Sequence, residues 1–339
     1  MIYVVLFFLG FSLLLYVLLA GADFGAGIVE LFSSKKNQLI TKKTAYRVMG
    51  PVWEANHIWI IIMIVILWVG FPTFYNVLII SLHIPLTLML LGITLRGVAF
   101  VFRHYDAYKD QSQILYDWMF KISSLFTPIF LGTVFGSLLS GEISLYSKES
   151  IQSFNVLYIQ GWFNGFSILV GFFFAALCAF LSSILLIGES EVMHQKVYIK
   201  KALIATITVV LIGFITLTYG FINTVPFVTA FISNELSVLP VITSGFLLYP
   251  LWISIKRGMR IYSRFFAGLQ VVLILLAAVS PIFPDLIFTT STPISILENI
   301  APDSTISVLG ISLIIGGSII LPGLFHLLKS FKMIKILDR

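Results

Sequence analysis

The sequence predicts an all-α integral membrane protein of about nine transmembrane helices, and three observations lead there. Its 339 residues are 59% hydrophobic and 11% charged, with a mean hydropathy of +1.04, whereas soluble domains carry roughly a quarter charged residues. Apolar stretches long enough to span a bilayer recur along the whole chain. The basic residues fall on alternate links between those stretches, as the positive-inside rule requires of a polytopic protein.

The spans are expected near 2–32, 51–72, 76–102, 119–140, 162–187, 202–224, 238–255, 262–283 and 305–328. The links are short, the longest running from 284 to 304, so the chain reads as a single membrane domain over 1–339. The first run has no basic residue ahead of it and exceeds the length of a cleaved signal segment, so it is expected to stay as a helix. Pro51 suits the first turn of the second span, and Asn164 opens the fifth.

Lys35, Lys36, Lys42, Lys43 and Arg47 lie between the first and second spans. Arg96, Arg103, Lys109 and Lys121 flank the link from third to fourth, and Lys196, Lys200 and Lys201 lie between fifth and sixth. Lys256, Arg257, Arg260 and Arg264 separate seventh from eighth, and Lys329, Lys332, Lys335 and Arg339 form the tail. That is 20 of the 21 basic residues on one side, with only Lys148 on the other. The expected orientation is N-terminus outside and C-terminus cytoplasmic. The net charge of +6 therefore faces a membrane surface and does not call for nucleic acid. The lone cysteine, Cys178, excludes an intrachain disulfide and an iron–sulfur cluster.

Polar groups inside hydrocarbon need a partner or a task. The candidates are Asp23 and Glu30 on the first span, Glu54 and His57 at the start of the second, His83 and Arg96 on the third, and Asn164. In GADFGAG (21–27), Gly21 and Gly25 bare one side of the helix for close approach of another backbone. Asp23 then either faces that contact and binds a proton, or forms an interfacial ion pair. In GPVWEANHIW (50–59), Glu54 gains from the helix N-terminus, which is reason enough for a carboxylate there. Glu54 and His57 also share a face at spacing three, with Trp53 above His57 at spacing four, so a proton relay is the alternative. In RGVAFVFR (96–103), Arg96 needs a counter-ion from Glu54 or Asp23, and Arg103 is expected to snorkel to the headgroups. His83, beside Pro85, is expected to bond locally, and His104, His194 and His326 to be solvated. There is no Gly-rich phosphate loop, HExxH or nucleophile elbow, and the scattered histidines supply no evident axial pair for haem.

These three strings, in this order and spacing, resemble subunit II of the cytochrome bd-type quinol oxidases of bacteria. GPVWEANHIW is the specific one; beyond the third span the likeness is of topology and length. The resemblance implies two four-helix bundles plus one peripheral helix in the bacterial plasma membrane, among lipids. It implies pairing, pseudosymmetrically, with a subunit I that carries haem b and haem d and oxidises quinol, and it leaves room for a small accessory subunit. The complex reduces dioxygen to water; this subunit stabilises its partner and lines a cytoplasmic proton path, with no haem of its own. Carried over singly, Asp23 matches the helix-one aspartate, Trp53 and Glu54 the Trp–acidic pair at the mouth of the path, and Asn56 and Trp59 the pattern that follows. Val101 stands where many members have a carboxylate, so the route here needs water, another side chain or a different course.

A proton-coupled secondary transporter is the rival from another class, suggested by Asp23, Glu54 and Arg96 and by the odd helix count. Pro85 and Pro128 are expected to interrupt helices without a counterpart in the second half, which weighs against it.

Overall fold

The computed structural model describes residues 1–50, 52–105, 111–146 and 152–330. Pro51, Lys109, Lys148, Lys332, Lys335 and Arg339 lie outside the described residues. Among those described, nine helices are long and apolar enough to cross a membrane: Ile2–Leu31, Trp53–Gly70, His83–His104, Ser112–Ser140, Gly165–Glu189, Gln195–Ile222, Glu235–Lys256, Arg260–Val279 and Asp303–Leu327. They are called here the first to ninth spans.

Local chemistry sets most of the boundaries. Asn164 caps the fifth span by accepting from Ser167 N–H at 2.9 Å, and Asn234 caps the seventh by accepting from Leu236 N–H at 2.9 Å. The fourth span stops at Gly141, whose φ of +79° is the left-handed conformation that ends a helix and that glycine adopts without cost. Gly258, at φ +65°, makes the tight turn between seventh and eighth.

The starts of three spans and the nature of one link depart from expectation, the sixth span beginning at Gln195 rather than near 202. The stretch from 76 divides: Pro72 starts a short helix, Pro72–Ser81, and the third span begins only at His83. Pro85 cannot donate and its ring would crowd the Ser81 carbonyl four residues back, so the helix breaks at Leu82. The fourth span starts at Ser112, which brings Asp117 inside it. The link after the first span is itself a helix, Lys35–Met49, burying Thr41, Thr44, Ala45, Val48 and Met49 against the bundle. Prolines within helices also occur in the second half, Pro240 and Pro250 in the seventh span and Pro322 in the ninth. The expectation that Pro128 has no counterpart there is therefore corrected.

The first four spans form one bundle and the fifth to eighth a second, with the ninth peripheral against the first and second. The fifth span joins the halves by packing on both the fourth and the first. At the end away from the basic residues, the 284–302 link folds across the bundle mouths. Phe288 N–H donates to Leu138 O at 2.8 Å, Thr290 N–H to Ile143 O at 3.0 Å and Ala301 N–H to Gly70 O at 3.0 Å. Ile143, Ile287 and Ile296 are buried beneath it.

Candidate functional site

The first and third spans run in the same direction, and each carries a charged pair seven residues apart. Seven residues are two helical turns, about 10.5 Å, so equal spacing on parallel helices stacks the partners as two rungs. In the inner rung, Arg96 Nη1 donates to Asp23 Oδ2 at 2.6 Å, and Nη2 to Asp23 Oδ1 at 2.8 Å and to the Asp23 carbonyl at 2.9 Å. In the outer rung, Arg103 Nη2 donates to Glu30 Oε1. The fourth span, running the opposite way, repeats the spacing. Ser124 Oγ accepts from Arg96 Nε at 3.0 Å, and seven residues toward the basic end Asp117 Oδ1 lies 2.7 Å from Arg103 Nε. Lys42 of the Lys35–Met49 helix closes the row, 2.6 Å from Asp117 Oδ1.

Phe120 sits between the rungs, its ring centroid 5.1 Å from the Arg96 guanidinium carbon and 4.7 Å from that of Arg103. Phe24 lies 5.1 Å from Arg96 on the other side. Arg96 thus has two aromatic rings against its guanidinium and Arg103 has one, and the rings exclude water while attracting the cation. Asp23, Glu30, Arg96 and Arg103 are all buried. Charges so enclosed persist only when paired, and each of the four has an opposite charge in the ladder.

Several expectations meet this geometry. The counter-ion of Arg96 is Asp23, not Glu54. Arg103 does not snorkel; it is 5% exposed, because two carboxylates and an aromatic face hold it inside. Asp23 points at Arg96, while the bare glycine side of the same helix faces elsewhere. A Cβ on Gly25 would run into the Cys178 carbonyl and lie 2.7 Å from Ser182 Cβ, and Gly21 abuts Leu181 and Cys178. The glycines therefore seat the first span on the fifth.

Glu54 is exposed in the first turn of the second span, whose helix breaks at His57. The contact between these two residues is the backbone bond from His57 N–H to Glu54 O at 3.2 Å. The His57 ring turns inward, 6.1 Å from Tyr16 and 5.7 Å from Phe24 between centroids, and its buried Nδ1 has no partner among the described residues. Tyr16 begins a π-type turn, Tyr16–Ala20, of the kind that often marks functional positions. Trp53 packs over Gly97 and Phe100 of the third span and not over His57. Asn56 and Trp59 are buried, Trp59 edge-on to Phe11. Val101 is on the outer surface of the third span, so a carboxylate there would not touch the ladder.

The histidines are dispersed. His83 Nδ1–H donates to Ile80 O at 2.9 Å, the local bond expected of it. His104 is half-buried with its ring stacked on Tyr46 at 3.8 Å, and not solvated as expected. Among the described residues no two histidines face each other, so these side chains do not fit a bis-histidine haem.

Sequence reasoning named Glu30 without a partner, counted Lys42 only among the basic residues of a link, and passed over Asp117. The signal was present as matched seven-residue spacings, Asp23/Glu30 against Arg96/Arg103 and Asp117/Ser124, which carry meaning only once helix directions are paired.

Together the fold and the ladder define a polytopic helical subunit with a charge-paired interior at its basic end. The chain belongs to the cytochrome bd terminal oxidase subunit II family, which it matches over residues 1–331. It is a multi-pass protein of the bacterial plasma membrane. It is 28% identical over 163 residues to "Cytochrome bd ubiquinol oxidase subunit 2" of Bacillus subtilis (strain 168), covering 48% of this chain and 46% of that protein. It is 29% identical over 194 residues to "Putative cytochrome bd menaquinol oxidase subunit II" of the same organism, covering 56% and 54%. The match thus spans about half the length of each of these curated relatives. The fold is similar to a chain in the structure of bd oxidase from Geobacillus thermodenitrificans, with a TM-score of 0.75, 15% identity, and 97% and 98% of the two chains covered.

Proposed function

We propose that this chain is the non-haem-ligating subunit of a respiratory quinol:oxygen oxidoreductase, holding a haem-bearing subunit I in a pseudosymmetric heterodimer. Haem b and haem d belong to that partner and supply the electron transfer and oxygen chemistry. The match to the family along residues 1–331 carries this reading, and the dispersed histidines agree with it. The transporter reading has no comparable support.

Within this function Glu54 takes up protons on the cytoplasmic side. It stands in the first turn of the second span, open to its surroundings, at the end where the basic residues gather. His57 is the next acceptor inward, because its buried Nδ1 is otherwise without a partner. Asp23 holds Arg96 with both carboxylate oxygens, which suits it to fixing the first span against the third. It suits proton transfer poorly.

The complex purified through this chain is expected to show haem d absorption together with haem b, and to consume oxygen with quinol. Haem b alone would mark a haem b-only variant, and no haem at all would favour the transporter. In that complex Glu54→Gln is expected to slow oxygen reduction and proton uptake with haem content intact, and Glu54→Asp to recover part of both. Full turnover in Glu54→Gln would remove Glu54 from the path.

A further inference from the structure

Glu30 is 1% exposed, and only one of its oxygens is satisfied. Oε1 accepts from Arg103; Oε2 is buried with no donor among the described residues. A buried polar atom left without a partner is costly, so such an atom calls for a water or a function. Beside it lies a cavity of about 10 Å³, lined by Glu30, Lys42, Tyr46, Arg103 and His104 among others. That is room for about one water molecule, and these walls offer the several polar partners a buried water needs.

We propose that Glu30 and this cavity form a second proton-uptake site of the chain, in which a single water connects Glu30 Oε2 to the basic-end surface. The inference rests on the oxidase reading above. It is distinct from Glu54, which lies on another helix and takes no part in the ladder.

The reason to choose Glu30 over Asp23 is electrostatic. Among the described residues Asp23 is the only carboxylate on Arg96, so a proton there would strand a buried guanidinium, an arrangement that costs several kcal/mol. Arg103 instead serves two carboxylates, Glu30 and Asp117, and Lys42 supports Asp117 from its far side. Glu30 can be neutralised while Arg103 keeps a counter-ion. The ladder thus has one rung that cannot release its charge and one that can.

The other charged or titratable groups around Glu30 are consistent with this. Tyr46 and His104 are stacked at the cavity wall. Lys201 of the sixth span approaches the same end, where its ammonium is held by the Ser33 and Thr41 hydroxyls at 2.5 and 2.8 Å. The Asp117 and Lys42 side chains are 30% and 24% exposed, so the buried cavity is one side chain from the surface. In the transfer itself, the cavity water gives a proton to Glu30 Oε2, breaking one of its own O–H bonds as the carboxyl O–H forms, and takes a proton in return from water at the surface past Lys42, which lines the cavity. Inward of Glu30, Gly27 leaves the first span bare where Ser124 presses against it, so the Ser124 hydroxyl is the next polar group on the way to the inner rung.

The test is made in the assembled complex with its partner. Glu30→Gln keeps the bond to Arg103 but cannot carry the proton. It is expected to slow proton uptake and oxygen reduction on the order of tenfold or more, the scale of a lost proton-transfer group, with haem content unchanged and Glu30→Asp partly restoring both. Infrared difference spectra should show a protonated carboxylic acid that is lost in Glu30→Gln. Wild-type uptake in a fully assembled Glu30→Gln complex overturns the proposal. Should that variant fail to assemble, Ala45→Val decides: Ala45 lines the cavity, so the larger side chain fills it and leaves the ion pairs in place, and wild-type uptake in it likewise overturns the proposal. A wild-type complex without haem or oxygen consumption would instead sink the oxidase reading, and the two failures are told apart by that control.

Discussion

The two bundles have the same number of helices and opposite interiors. In the first, five charged residues are buried, Lys121 and the four that pair as two rungs among the first, third and fourth spans. In the second, the buried polar groups of the described spans are neutral: Ser167, Ser182, Ser183, Thr206, Thr216, Ser237, Ser254, Ser263 and Gln270. Most of those whose bonds are described turn back on their own helices, as Thr206 does to Ala202 O at 2.8 Å and Ser254 to Pro250 O at 2.7 Å. The charge cluster of the second bundle, Glu189 with Arg260 and Arg264 at 2.5 and 2.8 Å, sits at the basic end and is partly open. Hydroxyls that satisfy themselves locally demand nothing of a neighbouring helix. Paired charges demand one partner in one register. The first bundle is therefore specified by electrostatics, while the second is held by packing against the fifth span.

The comparison can be broken most severely where the halves meet. Gly25→Leu is expected to abolish the assembled protein, because the Cys178 carbonyl occupies the space of any side chain at that position. Gly268→Ala, which has nothing within 4 Å of its would-be Cβ, is expected to leave yield and Tm unchanged. Equal behaviour of the two variants in detergent extracts would show that the seam between bundles tolerates bulk.

Next in size is the inner rung. Removing one member of a buried pair strands the other, at a cost of about 3–5 kcal/mol, so Arg96→Leu should lower the Tm sharply. Asp23→Leu combined with Arg96→Leu should recover much of that loss, since the desolvation of both charges disappears together. A double variant no better than the single would mean that the Ser124 and aromatic contacts of Arg96 matter more than its charge.

The smallest effect is expected in the second bundle. Ser244 Oγ donates to Gln270 Oε1, bridging the seventh and eighth spans. Interhelical bonds of this kind are worth about 0.6 kcal/mol, so Ser244→Ala should barely move the melting curve. A loss comparable to that of Arg96→Leu would erase the distinction between the two interiors.

Much of the architecture was legible beforehand. Span positions follow from runs of apolar residues, since a helix is the way a short segment satisfies its own backbone in lipid. The observed limits at Ile2, Ser140 and Lys256 agree with expectation within one or two residues. Two of the misplaced limits arise where charge extends a helix beyond its apolar run, since the fourth span from Ser112 and the sixth from Gln195 carry polar first turns that hydropathy does not count, and a third is the break that Pro85 makes before His83. The site was less legible. Asp23, Arg96 and Glu30 stood out as polar groups in apolar helices, yet Asp117 lies in a stretch that looked like a link and drew no notice.

By itself the sequence determined the number and order of the spans, the gathering of basic residues on one side, and the inventory of groups that need a partner in lipid. These are one-dimensional quantities: length, hydropathy and charge along the chain. Only the tertiary structure decided that Arg96 takes Asp23, that Arg103 is enclosed, that the glycines of the first span seat the fifth, and that Glu30 keeps one oxygen open to a cavity. Each depends on the rotation and direction of one helix relative to another. A ladder of partners 73 residues apart appears only when parallel helices are set side by side in register.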